Sequence, residues 1–203
     1  MSDDETLRLF IELTLPPEIV EALGRIQRVC RTRLPEGSIR WVAPEGIHLT
    51  LRFLGETAGS RQTDAEAAVK AAVRAAPGPQ RLELSGYGSF PSGRTAPRVL
   101  FVGLRDVGGG LPALTAALDK ALARVGWAPE GRPFRPHLTL GRVREDLRTT
   151  RSRRSGARWR RFLKSSRWPG TRKRSPWCAA RWARGDPAIP GSSRRRYNPP
   201  IRL

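Results

Sequence analysis

Histidine is nearly missing from this chain: 203 residues contain two. Cysteine is as scarce, with Cys30 and Cys178 far apart, which excludes a disulfide framework and gives no metal-ligand spacing. With so few dispersed donors, neither a metal site nor a cofactor is expected. No run of 18 apolar residues occurs, so no membrane-spanning helix is expected. The first residues, Met1-Ser2-Asp3-Asp4-Glu5, lack the basic and apolar regions of a secretory leader, and the expected location is the cytoplasm. No glycine-rich phosphate loop follows the first strand-like segment, which argues against a doubly wound parallel sheet.

Acidic residues are absent selectively. Residues 1–146 hold 20 Lys/Arg against 17 Asp/Glu, whereas residues 147–203 hold 18 against Asp186 alone. The net charge of +20 therefore belongs mainly to the tail. The chain divides into a core, residues 1–146, and a basic Arg/Trp-rich tail, residues 147–203.

What the sequence does contain is a repeated word. Both histidines open the tetrapeptide His-Leu-Thr-Leu, at His48 and again at His137. Residues i and i+2 of a strand share a face. His48 and Thr50 therefore project together, joined by Arg52, while Leu49, Leu51 and Phe53 are expected to enter a core. The second copy presents His137 and Thr139 together. Imidazoles titrate near neutral pH and can exchange protons with reacting oxygens; hydroxyls and guanidinium groups can hold phosphoryl oxygens. One such word is ordinarily an amphipathic strand with a wet face. Two copies that contain every histidine point to a catalytic pair.

The patterning places strands at 6–15, 47–54, 80–90, 98–104 and 134–144, with 39–42 a short strand or a turn. Helices are expected from Pro16-Pro17 onward, with Ile19, Leu23, Ile26 and Cys30 inward, at 60–76 with Ala65, Ala68, Val69, Ala72 and Val73 inward, and at 111–125 with Leu114, Leu118, Leu122 and Val125 inward. A strand–helix–strand order occurs twice, with one His-x-Thr word per half. The expected fold is α+β: two duplicated lobes whose antiparallel sheets line a central cleft, with helices outside.

Further residues carry a resemblance. They are Arg8-Leu9-Phe10-Ile11, Trp41-Val42, His48-Leu49-Thr50-Leu51-Arg52-Phe53-Leu54-Gly55, Gly88-Ser89-Phe90-Pro91 and Pro136-His137-Leu138-Thr139-Leu140-Gly141-Arg142. In order and separation these resemble the LigT-like two-histidine (2H) phosphoesterases, and within them the RNA 2′,3′-cyclic phosphodiesterases. The resemblance covers about residues 6–145. It implies a bilobal enzyme that opens a 2′,3′-cyclic phosphate at an RNA end to leave a 2′-phosphate, without metal. It also implies His48 as the acid that protonates the 3′ leaving oxygen and His137 as the base that activates water. Thr50 and Thr139 would bind the phosphate. Arg142 matches the family motif, but strict alternation puts it off the histidine face unless Gly141 supplies a bulge. Phe90 is a further substrate-binding candidate, as a stacking ring. Tyr87 and Trp41 are expected to pack.

The implied partner is RNA with 2′,3′-cyclic phosphate ends, tRNA fragments among them, with no membrane and a monomeric enzyme. Other 2H cyclic phosphodiesterase activities and 2′–5′ RNA ligation remain as alternatives. So does a silent RNA-binding protein working through the basic tail, whose tryptophans and arginines suit RNA.

The tail departs from the resemblance. It holds four of the six tryptophans and runs such as Arg194-Arg195-Arg196, where the family continues with a helix and two core strands. One expectation is a disordered basic arm. The other is translation in a shifted frame from near residues 145–148. In that frame Trp168-Pro169 becomes Ala, Trp177-Cys178 becomes Val and Trp182-Ala183 becomes Gly, among strand-like neighbours.

Overall fold

The computed structural model describes residues 5–76, 81–92 and 97–144, and the backbone of 180–181 and 201–202. The expectations for the rest of the tail lie outside the described residues.

The chain opens with β1 (Thr6–Leu13), whose inward residues Leu9 and Ile11 are fully buried. Helix α1 (Pro17–Arg33) starts on a proline, whose fixed φ and missing N–H suit the first turn. It buries Ile19, Leu23, Ile26 and Cys30 as the spacing predicts, and Gln27 besides. β2 (Ile39–Trp41) and β3 (Leu49–Ala58) follow, then α2 (Gln62–Ala75). α2 buries Ala65, Ala68, Val69 and Ala72, while Val73 is half-buried.

β4 (Arg81–Phe90) and β5 (Val99–Asp106) form an antiparallel pair. The Asp106 carboxylate then accepts hydrogen bonds from the Gly108, Gly109 and Leu111 N–H groups at 3.0, 2.9 and 2.7 Å. The last two are amides that the start of α3 (Gly110–Arg124) leaves without helical partners. α3 buries Leu114, Leu118 and Leu122, and β6 (His137–Val143) ends the core.

The strand order is β7-β4-β5-β6-β3-β1-β8, with β2 on β6. β7 (Ala180–Arg181) pairs antiparallel with β4, and β8 (Ile201–Arg202) pairs parallel with β1. All other pairings are antiparallel. In place of two expected sheets there is one continuous sheet: β3 joins β6 at Leu49 opposite Leu138, and β2 of the first half also pairs with β6. Both leucines are fully buried, so the lobes join through core.

The helices cover these sheets crosswise. On α1, Gln27 Nε2 donates to the carbonyls of Val42 and Leu140 at 2.7 and 2.9 Å, and Cys30 meets Tyr87 of β4. α2 packs along α3, and Asp119 of α3 reaches Arg52 of β3. The helix after β1 thus serves the second lobe, and α3, with α2 beside it, reaches the first. Among the described residues these helix contacts all lie on the sheet face opposite the repeated words.

Candidate active site

Each word sits where the lobes meet. Continuing the antiparallel register from Leu49–Leu138 brings His48 level with Thr139, and Thr50 level with His137. The leucines point to the core and the four polar residues to the other face. His48, Thr50, His137 and Thr139 are all half-buried.

The two imidazoles are anchored alike. His48 Nδ1 lies 3.0 Å from the Gly46 carbonyl, and His137 Nδ1 lies 2.7 Å from the Arg135 carbonyl. A carbonyl only accepts, so Nδ1 is the donor in both rings, and Nε2 is the atom left for chemistry. The two halves then diverge. A Glu12 carboxylate oxygen lies 3.0 Å from His48 Nδ1, with the Glu12 side chain 5% exposed. Phe10 stacks on the same ring at 5.1 Å between centroids. His137 instead meets the edges of Phe90 and Phe101 at 4.9 and 5.2 Å, and those two rings stack on each other at 4.4 Å.

Both histidine strands carry a bulge at the fourth residue of the word. Across β1, Thr50 faces Glu12 and Arg52 faces Ile11, so Leu51 is skipped. Across β5, Thr139 faces Phe101 and Gly141 faces Leu100, so Leu140 is skipped. A skipped residue reverses the alternation beyond it. In the second lobe this turns Arg142 onto the histidine face, opposite Val99. Gly141 permits it: a Cβ there would lie 2.4 Å from Ile39 Cγ2 and 3.0 Å from the Arg40 carbonyl.

In the first lobe the same reversal overturns the placement of Arg52. It does not join His48. It points to the helix side, 9% exposed, with Nη1 3.4 Å from Asp119 and 3.5 Å from Glu130. Its Nη2 donates to the Ala128 carbonyl. Phe53, expected in the core, is 58% exposed and lies 6.1 Å from Phe10 on the histidine side. The signal was present: a bulge invoked for one copy of a repeated word belongs to both.

Glu12 escaped the sequence reading. It reads as one more polar residue of an amphipathic strand, and only strand pairing brings it under His48. Trp41 packs beneath the Arg31 guanidinium, 4.8 Å from the ring centroid. Tyr87 and Cys30 share a buried hydrogen bond; burial pushes the thiol up to about 11 and the phenol upward as well. Among the described residues no group of three or more His, Cys, Asp or Glu comes together as a metal-binding set. No described helix is long and apolar enough to cross a membrane.

The arrangement offers two imidazoles and two hydroxyls around one rung of sheet, with Arg142 farther along β6 on the same face. The profile of the family described as LigT like Phosphoesterase matches residues 13–101 and 102–160, running past the expected boundary at residue 146. An RNA 2′,3′-cyclic phosphodiesterase of Geobacillus stearothermophilus is 34% identical over 133 residues, which is 66% of this chain and 41% of that protein. An RNA 2′,3′-cyclic phosphodiesterase of Thermus thermophilus is 36% identical over 143 residues, 67% of this chain and 68% of that protein. The crystal structure of Escherichia coli LigT complexed with 3′-AMP superposes with a TM-score of 0.54 at 33% identity, covering 68% of this chain and 74% of that one.

Proposed function

Because this chain belongs to the LigT-like phosphoesterases, we propose that it hydrolyses 2′,3′-cyclic phosphate ends of RNA to 2′-phosphates through His48 and His137, without a metal. The observation that carries the reading is the matched anchoring of the two Nδ1 atoms, each to the carbonyl two residues before its histidine. Two imidazoles so held can work as complementary acid and base.

In this mechanism His137 Nε2 takes a proton from water as the water oxygen attacks phosphorus. The bond from phosphorus to the 3′ oxygen breaks. His48 Nε2 gives its proton to that oxygen, and the phosphate stays on the 2′ oxygen. Thr50 and Thr139 donate hydroxyl hydrogen bonds to the non-bridging oxygens, and Arg142 balances their charge. The aromatic rings around each histidine suit a nucleoside. The substrates extend to tRNA fragments, and the enzyme acts as a cytoplasmic monomer, a state that light scattering on the purified chain checks. For the tail, the shifted-frame reading stands as a proposal, and a stop codon in the frame made of each codon's third base and the next codon's first two would sink it.

The test is an RNA oligonucleotide ending in a 2′,3′-cyclic phosphate, incubated in chelator with the wild-type chain and with His48→Ala and His137→Ala. The expected result is a 2′-phosphate from the wild type and turnover lost by at least about a hundredfold in each variant. A 3′-phosphate product, full turnover by either variant, or dependence on metal overturns the proposal. Binding with steep salt dependence and no turnover would point instead to the tail as a backbone-binding arm.

A further inference from the structure

The two halves of the site are related by register, and that relation exposes an asymmetry. Thr50 faces Glu12 across β1–β3, and Thr139 faces Phe101 across β5–β6. One ladder position therefore holds a carboxylate in the first half and a phenyl ring in the second. Each contacts its own histidine: Glu12 lies 3.0 Å from His48 Nδ1, and Phe101 lies 5.2 Å from the His137 ring.

Glu12 is 4% exposed, and a carboxylate withdrawn so far from water needs charge-assisted partners to repay its desolvation. The imidazole above it provides one. The Gly46 carbonyl and the Glu12 carboxylate converge on the same Nδ1 hydrogen, and Phe10 covers a face of the ring. His48 is thus held by three groups, with a negative charge on the side away from substrate.

We propose that Glu12 is a positioning residue that commits His48 to the acid role. It fixes the ring with Nε2 outward and places an anion behind the imidazolium, the form that must donate to the 3′ oxygen. His137, walled by phenyl rings, is left as the base. This inference rests on the two-histidine hydrolysis proposed above.

The experiment compares Glu12→Gln, His48→Ala and His137→Ala on two substrates. One is the all-oxygen 2′,3′-cyclic phosphate. The other carries sulfur in place of the bridging 3′ oxygen. In both, water attacks phosphorus and the bond to the 3′ atom breaks, but a thiolate leaves without needing a proton. Glutamine keeps the size and the hydrogen-bond acceptor of Glu12 and removes its charge.

On the oxygen substrate, Glu12→Gln is expected to lower kcat by about 10- to 100-fold with KM within about twofold. On the sulfur substrate, the losses of both Glu12→Gln and His48→Ala should shrink to within about threefold, while His137→Ala stays impaired. Glu12→Asp, which retains the charge, should keep more kcat than Glu12→Gln, and carries the test if the glutamine variant does not fold. Equal losses on both substrates, an unchanged kcat in Glu12→Gln, or rescue of His137→Ala by sulfur would each overturn the role given to Glu12. If neither histidine variant loses turnover on the oxygen substrate, it is the underlying hydrolysis reading that fails.

Discussion

Phe53 and Arg142 occupy equivalent places in the two halves of the site. Each stands five residues beyond its histidine, and each is turned onto the histidine face by a bulge at the fourth residue of the repeated word. The duplication thus conserves backbone geometry and varies chemistry. One half presents an exposed ring and the other a guanidinium.

An exposed ring on that face offers a stacking surface to a nucleobase, worth about 1–3 kcal/mol per base. Phe53→Ala should therefore raise KM for a cyclic-phosphate RNA end by about tenfold, leaving kcat and the melting temperature nearly unchanged. Steady-state kinetics on a dinucleotide substrate would check this. A KM equal to wild type would remove Phe53 from the binding surface.

Arg52 predicts the reverse pattern. Its guanidinium ties β3 to Asp119 of α3 and to the Ala128–Glu130 segment that leads toward β6. Arg52→Met should lower stability by about 0.5–1.5 kcal/mol, because the hydrogen bond from the guanidinium to the Ala128 carbonyl is lost. KM should stay within about twofold, since the side chain lies on the helix side of the sheet. Denaturant titration beside kinetics separates the two effects. A large rise in KM at unchanged stability would return Arg52 to the substrate site.

Gly141 tests the bulge itself. A methyl group there meets Ile39 Cγ2 at 2.4 Å, the Arg40 carbonyl at 3.0 Å and Trp41 Cα at 3.2 Å. Backbone on two sides cannot yield cheaply, so Gly141→Ala should cost about 1–3 kcal/mol and push β2 away from β6. Arg142 would move with it, and turnover should fall. A variant with wild-type melting and activity would show that the β2–β6 packing is looser than the structure has it.

Alkaline stability follows from Cys30 and Tyr87. Burial raises both groups, the thiol to about 11. A raised group in the folded chain holds a proton that the unfolded chain gives up earlier. The stability it contributes is therefore complete below the unfolded thiol range, about 8.5, and is lost as pH climbs toward the folded value. The urea midpoint should fall between about pH 8 and pH 10.5, and Cys30→Ala should make that fall shallower. An identical slope in the variant would show that other groups control the alkaline limb.

Much of this molecule is written locally. The spacing of Ile19, Leu23, Ile26 and Cys30 defines one helix face, and i, i+2 alternation puts each His-Thr pair on one face of a strand, because both periods are properties of the backbone. The repetition of His-Leu-Thr-Leu marks the site without any fold. What the sequence left open depends on which residue stands across a ladder. Skipping Leu51 and Leu140 is a matter of register between distant strands, and it exchanges Arg52 for Phe53 and admits Arg142. Glu12 reads as one more polar residue of an amphipathic strand until β1 pairs with β3 and brings it beneath His48. Side-chain periodicity is a local consequence of φ and ψ; the partner a side chain meets is set by tertiary pairing, and here that pairing decides how two identical words divide one reaction.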